Sequence, residues 1–549
     1  MKKTIFASAS IIALSLSAPA LAQSTSDIDQ TGSGNSATAT QNGSNTSDID
    51  QVGDGNSATN TQTGSDNRSQ IEQSAFLGLA NVSQDGVGNT SLVVQQDPDT
   101  APGQGGSTGV AGFDPEATVK QNGEDNVSEI YQTIEPGGGF NQIANVDQSG
   151  ADNVSWIDQN SDGPGYTGGL GATVIQTGSA DSSIQQTGTN GGKNMRARVT
   201  QDSSSSQVIQ TATDTSGFNP SANAVINQRG GSTSDVFQTL NGDLTGDLNA
   251  QVTQDNGATS TIYQTANGAQ SLTQDALVTQ NGDSTSSITQ TFNNDGSNTF
   301  LAIVNQNGSG NTSNITQRDE GFGVIGNADG GLTANVNQTG DDNLSNLVQE
   351  NKAAFADIDQ TGNGNASTAF QGAAGNDFTL LQSGDDNISN LMQTGLNNEA
   401  NVLQAGIGAT STVDQSGRND FAYVDQLVGS DGSASTINQI GAGGDRSENT
   451  ARVTQSGAMG ESTITQGGFN SLAELEQSGD GNLSTILQTG TVDGFGNIAD
   501  VLQSGADNVS TVTQVGSLNV ASVTQTSDLN VSNVSQTGIG NTATVTQGM

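Results

Sequence analysis

The stretch DNVSTVTQVGSLNVASVTQ (Asp507–Gln525) nearly repeats itself after eleven residues. Asn508, Ser510, Val512 and Gln514 return as Asn519, Ala521, Val523 and Gln525. The four slots share one parity, the period of a strand with one buried face; on a helix they would scatter around the circumference. Three slots keep their residue type and one changes from Ser to Ala. The meaning of that exchange decides the fold.

Taking each such Gln as an anchor, the same frame runs forty-two times from Gln30 to Gln547. Two residues before the Gln stands a branched aliphatic, as at Ile28, Val146, Ile288, Val424 and Val545. Four before it stands Ser or Ala, often with Asn six before and Gly two after, as at Gly340, Gly384 and Gly538. The alternate positions, such as Thr542, Thr544 and Thr546, are polar and suit a solvated face. Stretches such as TGDD at 339–342 carry turn chemistry. The small slot alternates along the chain: Ser26, Ala37, Ser47, Ala58, and so on to Ser532 and Ala543. The true repeat is therefore about 22 residues, one Ser strand and one Ala strand making a rung. The expected fold is all-β, a parallel β-solenoid of about 21 two-stranded rungs. Insertions fall almost entirely between a Ser strand and the following Ala strand, as from Gln95 to Gln121, Gln317 to Gln338, Gln439 to Gln455 and Gln488 to Gln503. That places them on one edge of the stack.

One irregularity tests the rung. Phe378 occupies an Ala slot, while Ala369 stands where Val or Ile is usual. If consecutive strands fold back on each other with Gln371 opposite Asn376, Ala369 faces Phe378 and the core volume is conserved.

A core of Val, Ile and Leu flanked by amides is thin and partly polar. Rungs stacked about 4.8 Å apart would set like side chains above each other. Amides could then bond along the stack, which offsets the cost of burying them. The Gln members of this expected ladder are Gln349, Gln360, Gln382, Gln393, Gln404, Gln477, Gln488, Gln503, Gln514, Gln525, Gln536 and Gln547. The Asn members are Asn343, Asn365, Asn387, Asn482, Asn508, Asn519, Asn530 and Asn541, which could instead serve partly as solvated turn residues. Ser adds a hydroxyl row on one wall.

Composition sets further bounds. Only 31% of the 549 residues are hydrophobic, and the formal net charge is −43 from 56 acids and 13 bases. Such a chain would by default be disordered, but a disordered polymer has no use for strict alternation over forty-two units. The acidic field repels nucleic acid and anionic membranes, so neither is an expected partner. Residues 1–22, with Lys2 and Lys3, an apolar run around Ile5 to Leu16 and small Ala20 and Ala22, read as a secretory leader. Residues 23–549 form the repeat domain, exported and without membrane insertion once the leader is removed. With no Cys, stability outside the cell owes nothing to disulfides.

The unit Ser/Ala-x-Val/Ile-x-Gln-x-Gly-x-x-Asn-x-Ala/Ser resembles the curlin repeat of the secreted subunits of curli amyloid fibres. The resemblance covers nearly all of residues 23–549, in a chain several times longer than an ordinary curlin subunit. It implies a strand-turn-strand solenoid that polymerises into extracellular fibres supporting biofilm and adhesion. A nucleating protein and an outer-membrane secretion pore would be its partners, and its own copies the main one.

No His and no Cys removes the usual bases, thiol nucleophiles and soft metal ligands, so no enzyme and no cofactor are expected. The pairs Asp341–Asp342 and Asp385–Asp386 fall in turns. Their oxygens would suit calcium, yet the nonapeptide signature of calcium β-rolls is missing. An ice-binding Thr array is interrupted by Asp357, Asp359, Glu474 and Glu476, and the lone Trp156 sits on an outward slot. The expected function is a structural fibre subunit; the alternative is a monomeric surface adhesin that grips a partner with its loops. A chain opening on a Ser strand and closing on an Ala strand, with no room for a cap at either end, would add copies head to tail.

Overall fold

The computed structural model describes residues 23–96, 115–134, 142–162, 169–189, 194–213, 221–242, 245–268, 271–293, 298–319, 330–350, 353–441, 447–490 and 495–548. Residues 1–22, expected to be a secretory leader, and much of the longer insertions lie outside these residues. The described residues form 42 strands and their turns, numbered β1 to β42 in chain order, and none is helical. The odd-numbered strands make one parallel sheet and the even-numbered strands a second, 21 strands each. This is a parallel β-solenoid. The chain divides into two compact units, Met1–Gln274 with Asn293–Gly296, and Asp275–Phe292 with Ser297–Met549.

Register explains the Ser/Ala alternation in both units. In the first, β1 (Thr25–Thr31) pairs with β3 (Thr46–Val52), setting Ser26 against Ser47, Ile28 against Ile49 and Gln30 against Gln51. Likewise β2 (Ser36–Asn42) pairs with β4 (Ser57–Ser65), setting Ala37 against Ala58. In the second unit, β27 (Ala366–Gln371) sets Ser367 against Ser389 of β29 (Ile388–Gln393). Ala499 of β38 (Ile498–Gln503) lies beside Ala521 of β40 (Val520–Gln525). Each sheet therefore stacks like on like, and a one-residue slip would turn every amide and aliphatic outward. The branched aliphatics are sealed: Ile49, Ile71, Ile130, Ile437 and Ile486 are all 0% exposed.

The glycine that often stands two residues after the Gln marks a close approach of neighbouring rungs. Gly340 has φ +110°, and a Cβ there would lie 2.1 Å from the carbonyl oxygen of Gly362 in the next rung. A side chain at this turn would force the rungs apart.

The walls interlock across the core. Asn60 takes an aliphatic slot of β4, and its Nδ2 donates to Ser47 Oγ of β3 at 2.6 Å, so the aliphatic slot of one wall faces the small slot of the other. In the rung of β27 and β28 (Asp377–Gln382), Gln371 Nε2 donates to the Asn376 carbonyl at 3.1 Å. Counting inward from that contact by the same register sets Ala369 opposite Phe378; both are 1% exposed. Phe378 is flanked by Ala356 and Ala400 within its sheet, whereas Ala369 is flanked by Leu347 and Leu391. Phe378→Ala is expected to cost about 3 kcal/mol through the void it leaves, and adding Ala369→Val should return part of the loss. Urea unfolding of the single and double variants measures the coupling; strict additivity would show that the two side chains do not meet.

Candidate functional site

The strand-end glutamines form two continuous hydrogen-bonded chains in each unit. In the second unit, the odd-sheet chain runs from Gln349 through Gln371, Gln393 and Gln415 to Gln439, each Nε2 donating to the next Oε1 at 2.8–3.0 Å. It continues through Gln466, Gln488 and Gln514 to Gln536. The even-sheet chain runs from Gln360 through Gln382, Gln404, Gln426 and Gln455 to Gln477, then through Gln503 and Gln525 to Gln547. In the first unit, Gln51, Gln73 and Gln95 do the same at 2.7–2.9 Å.

The second hydrogen of each amide crosses the core. Gln360 donates to the Leu344 carbonyl at 3.0 Å, Gln393 to Asp377 at 3.1 Å, Gln488 to Leu472 at 2.9 Å and Gln525 to Val509 at 3.1 Å. Gln349, Gln382, Gln404, Gln477, Gln503, Gln514, Gln536 and Gln547 make the equivalent contact. Each ladder Gln thus bonds along the sheet and ties the two sheets together, which makes burial of a primary amide tolerable. Donation always runs toward the higher-numbered rung.

The asparagines do different work. Asn343 Oδ1 accepts the backbone N–H of Asn365, Asn365 Oδ1 that of Asn387, and Asn387 Oδ1 that of Ala409. Asn482, Asn508 and Asn530 repeat this, as do Asn519 and Asn541. Some of their Nδ2 groups clamp the turns, with Asn343 donating to the Gly362 carbonyl, Asn365 to Gly384 and Asn519 to Gly538, whereas the Nδ2 groups of Asn387 and Asn508 have no partner. Asn343, Asn365, Asn387, Asn482, Asn508 and Asn519 are fully buried, while Asn530 is half-buried and Asn541 exposed.

The serine row is only partly bonded. Ser367 donates to Ser345, Ser411 to Ser389 and Ser532 to Ser510 at 3.2–3.3 Å. The hydroxyls of Ser69, Ser91, Ser128, Ser155 and Ser313 have no partner. A rung spacing near 4.8 Å exceeds the 2.7–2.8 Å typical of O–H···O bonds, so a short hydroxyl makes at best a long bond to its neighbour and does so at only some rungs.

Asp420 is a member that sequence reasoning passed over. It fills the Asn slot ahead of Gln426 and is 0% exposed. Its Oδ1 accepts the Asn449 N–H at 2.9 Å, its own N–H donates to Asn398 Oδ1 at 2.9 Å, and its Oδ2 has no partner. Burial pushes its carboxyl up to about 6, against the opposing hydrogen bond from the Asn449 N–H. The signal was present as the first Asp of NDFAYVDQ, which stands six residues before the ladder Gln where Asn is usual. The turn acids are structural as well: Asp341 Oδ1 accepts the Ser309 N–H and Asp385 Oδ1 the Asn363 N–H, both at 2.8 Å.

Residues 44–74, which contain β3, β4 and β5 (Arg68–Ser74), match the family model of the curlin associated repeat. This stretch is similar to the curlin repeat. The matched stretch spans one and a half rungs, and the same slots, register and Gln chain recur in the other rungs described. No curated protein matches the chain. A curlin-repeat match and a β-solenoid fold together fit a curli-like structural, non-enzymatic protein.

Proposed function

We propose that this chain is a secreted, curli-like fibre subunit of an extracellular matrix, in which copies add head to tail. The observation that carries this reading is the sameness of the rungs: every rung offers its neighbour the same row of backbone groups and the same Gln amide, in the same sense. A rung of a second copy is chemically equivalent to the next rung of the same chain. The family supports self-assembly and an extracellular site; a nucleating protein and an outer-membrane pore are the partners such a route would use. The second reading, a monomeric adhesin, would keep the same solenoid and bind through the one-sided insertions.

The net charge of −43 opposes the approach of copies, so salt should shorten the lag before assembly. The chain lacking residues 1–22, incubated with salt and a trace of preformed fibre, should give thioflavin-positive filaments with a cross-β reflection at about 4.7–4.8 Å. A folded species that stays monomeric under these conditions would remove the fibre reading in favour of the adhesin.

A further inference from the structure

Cations are scarce on this chain, and three of them are matched along the stack. Lys120 lies 3.3 Å from Asp147, Arg318 3.8 Å from Glu350 and Arg452 3.8 Å from Glu474, each pair on adjacent strands of one sheet. Arg196 and Arg198 depart from this habit. They occupy successive outward slots of β14 (Met195–Asp202), both exposed. Neither has a carboxylate partner among the described residues. Arg196 is flanked in the sheet by Gly171 and Asn223, and Arg198 by Thr173 and Val225, all uncharged. Because Gly171 has no side chain, the two guanidiniums rim a groove of about 460 Å³ that is also lined by Ile143 and Val225.

The complement lies on the other sheet of the same unit. There β1 and β3 pair in register, so Asp27 stands beside Asp48 and Asp29 beside Asp50. Four carboxylates thus fill two outward slots of two neighbouring rungs, with no ion-pair partner among the described residues. Their crowding is felt: the Asp50 carboxyl is raised above its ordinary value, first by partial burial and then by Asp48, Asp29 and Asp27.

We propose that the Arg196–Arg198 groove is a lateral docking surface for the Asp27, Asp29, Asp48 and Asp50 array of a second copy of this chain. The spacing fits. Arg196 and Arg198 are two residues apart on one strand, as are Asp48 and Asp50, and both pairs therefore repeat at about 6.6–6.8 Å. The chemistry fits too, since a planar guanidinium binds a carboxylate through paired N–H groups. Near physiological ionic strength the screening length is about 8 Å, so the overall acidic field fades while charges in contact still attract. The contact is heterologous, one sheet of the first copy against the other sheet of the second, so it does not close on itself and builds open side-by-side stacks. Each exposed pair is weak by itself; copies fixed in a filament would multiply the contact.

The proposal does not need polymerisation, because the folded soluble chain already carries both surfaces. The test is sedimentation equilibrium of the freshly folded full chain without its leader, before any thioflavin signal, at fixed ionic strength. Two charge-reversed variants are compared, Arg196→Glu/Arg198→Glu and Asp48→Lys/Asp50→Lys, with circular dichroism confirming that each folds. Each alone should self-associate about tenfold more weakly than the parent, and an equimolar mixture of the two should recover association, since the reversed groove now matches the reversed array. Variants that associate like the parent, or a mixture no stronger than its components, would overturn the proposal. So would saturable binding of a soluble acidic polysaccharide that is lost in Arg196→Glu/Arg198→Glu, in a parent chain that does not self-associate. Failure of fibre growth with intact charge-swap behaviour would count against the fibre reading alone.

Discussion

Asp420→Asn is expected to stabilise its region of the solenoid at neutral pH and to flatten the pH dependence there. The carboxyl titrates at about 6 in the folded chain against 3.8 when free. Its folded value is raised, so its contribution is fully present below 3.8 and is lost as pH rises through about 6. Over that window the loss is about 3 kcal/mol, or roughly a hundredfold in a local opening equilibrium. Asn376, Asn398 and Asn449 occupy the same slot in neighbouring rungs, so the replacement has the right shape and removes the charge. Native-state hydrogen exchange at the Asn449 amide, corrected for intrinsic rates, reads this directly because Asp420 Oδ1 holds that N–H. Protection should fall from pH 4 to pH 7 in the parent and stay level in the variant. The same profile in both would show that the carboxyl carries no such load.

Gln393→Glu should be strongly destabilising for a single-atom change. Gln393 is 0% exposed. Its Nε2 donates to Gln415 Oε1 at 2.8 Å and to the Asp377 carbonyl at 3.1 Å, while its Oε1 accepts from Gln371 at 3.0 Å. A carboxylate there keeps the acceptor and turns the donor into a second acceptor facing two oxygens. The expected loss is about 3–5 kcal/mol at neutral pH, partly regained in acid as the group protonates. Gln393→Leu keeps the volume and strands the same partners without adding charge, and should cost about 1–3 kcal/mol. Asn390→Asp, on the exposed face of the same strand, should change stability by about 0.5 kcal/mol or less. Urea unfolding of the three ranks them; equal effects for Gln393→Glu and Asn390→Asp would mean that the buried amide chain does not hold the rungs.

The fold was legible because its determinants are periodic. Parity gave the strands, the Ser/Ala exchange at Ser510 and Ala521 gave the two-stranded rung, and the displaced Phe378 pointed to the facing Ala369. Side-chain pairing was legible only where geometry leaves one choice. A Gln reaches the Gln above it whatever the details, but Ser69 and Ser155 stand in register with like neighbours and do not bond, whereas Ser367 and Ser345 do, because at this strand spacing a short hydroxyl meets its neighbour at only some rungs. The Asn slot was ambiguous in sequence because the preferred partners of Asn343 and Asn365 are backbone groups, which carry no letter. Asp420 was hidden for another reason: in a chain with 56 acids, one more Asp attracts no notice until burial sets it apart.

The uniform sense of the Gln chains has a vectorial consequence. Amide dipoles aligned head to tail add, as peptide dipoles do along a helix. Within each unit both sheets point their N–H groups toward higher-numbered rungs, so the two rows reinforce instead of cancelling. One end of such a row is rich in donors and the other in acceptors, which makes a filament built from it a directed object with a fast and a slow end. A blocker designed for one end would then be useless at the other, and selective control of growth would come down to matching the polarity of a single amide.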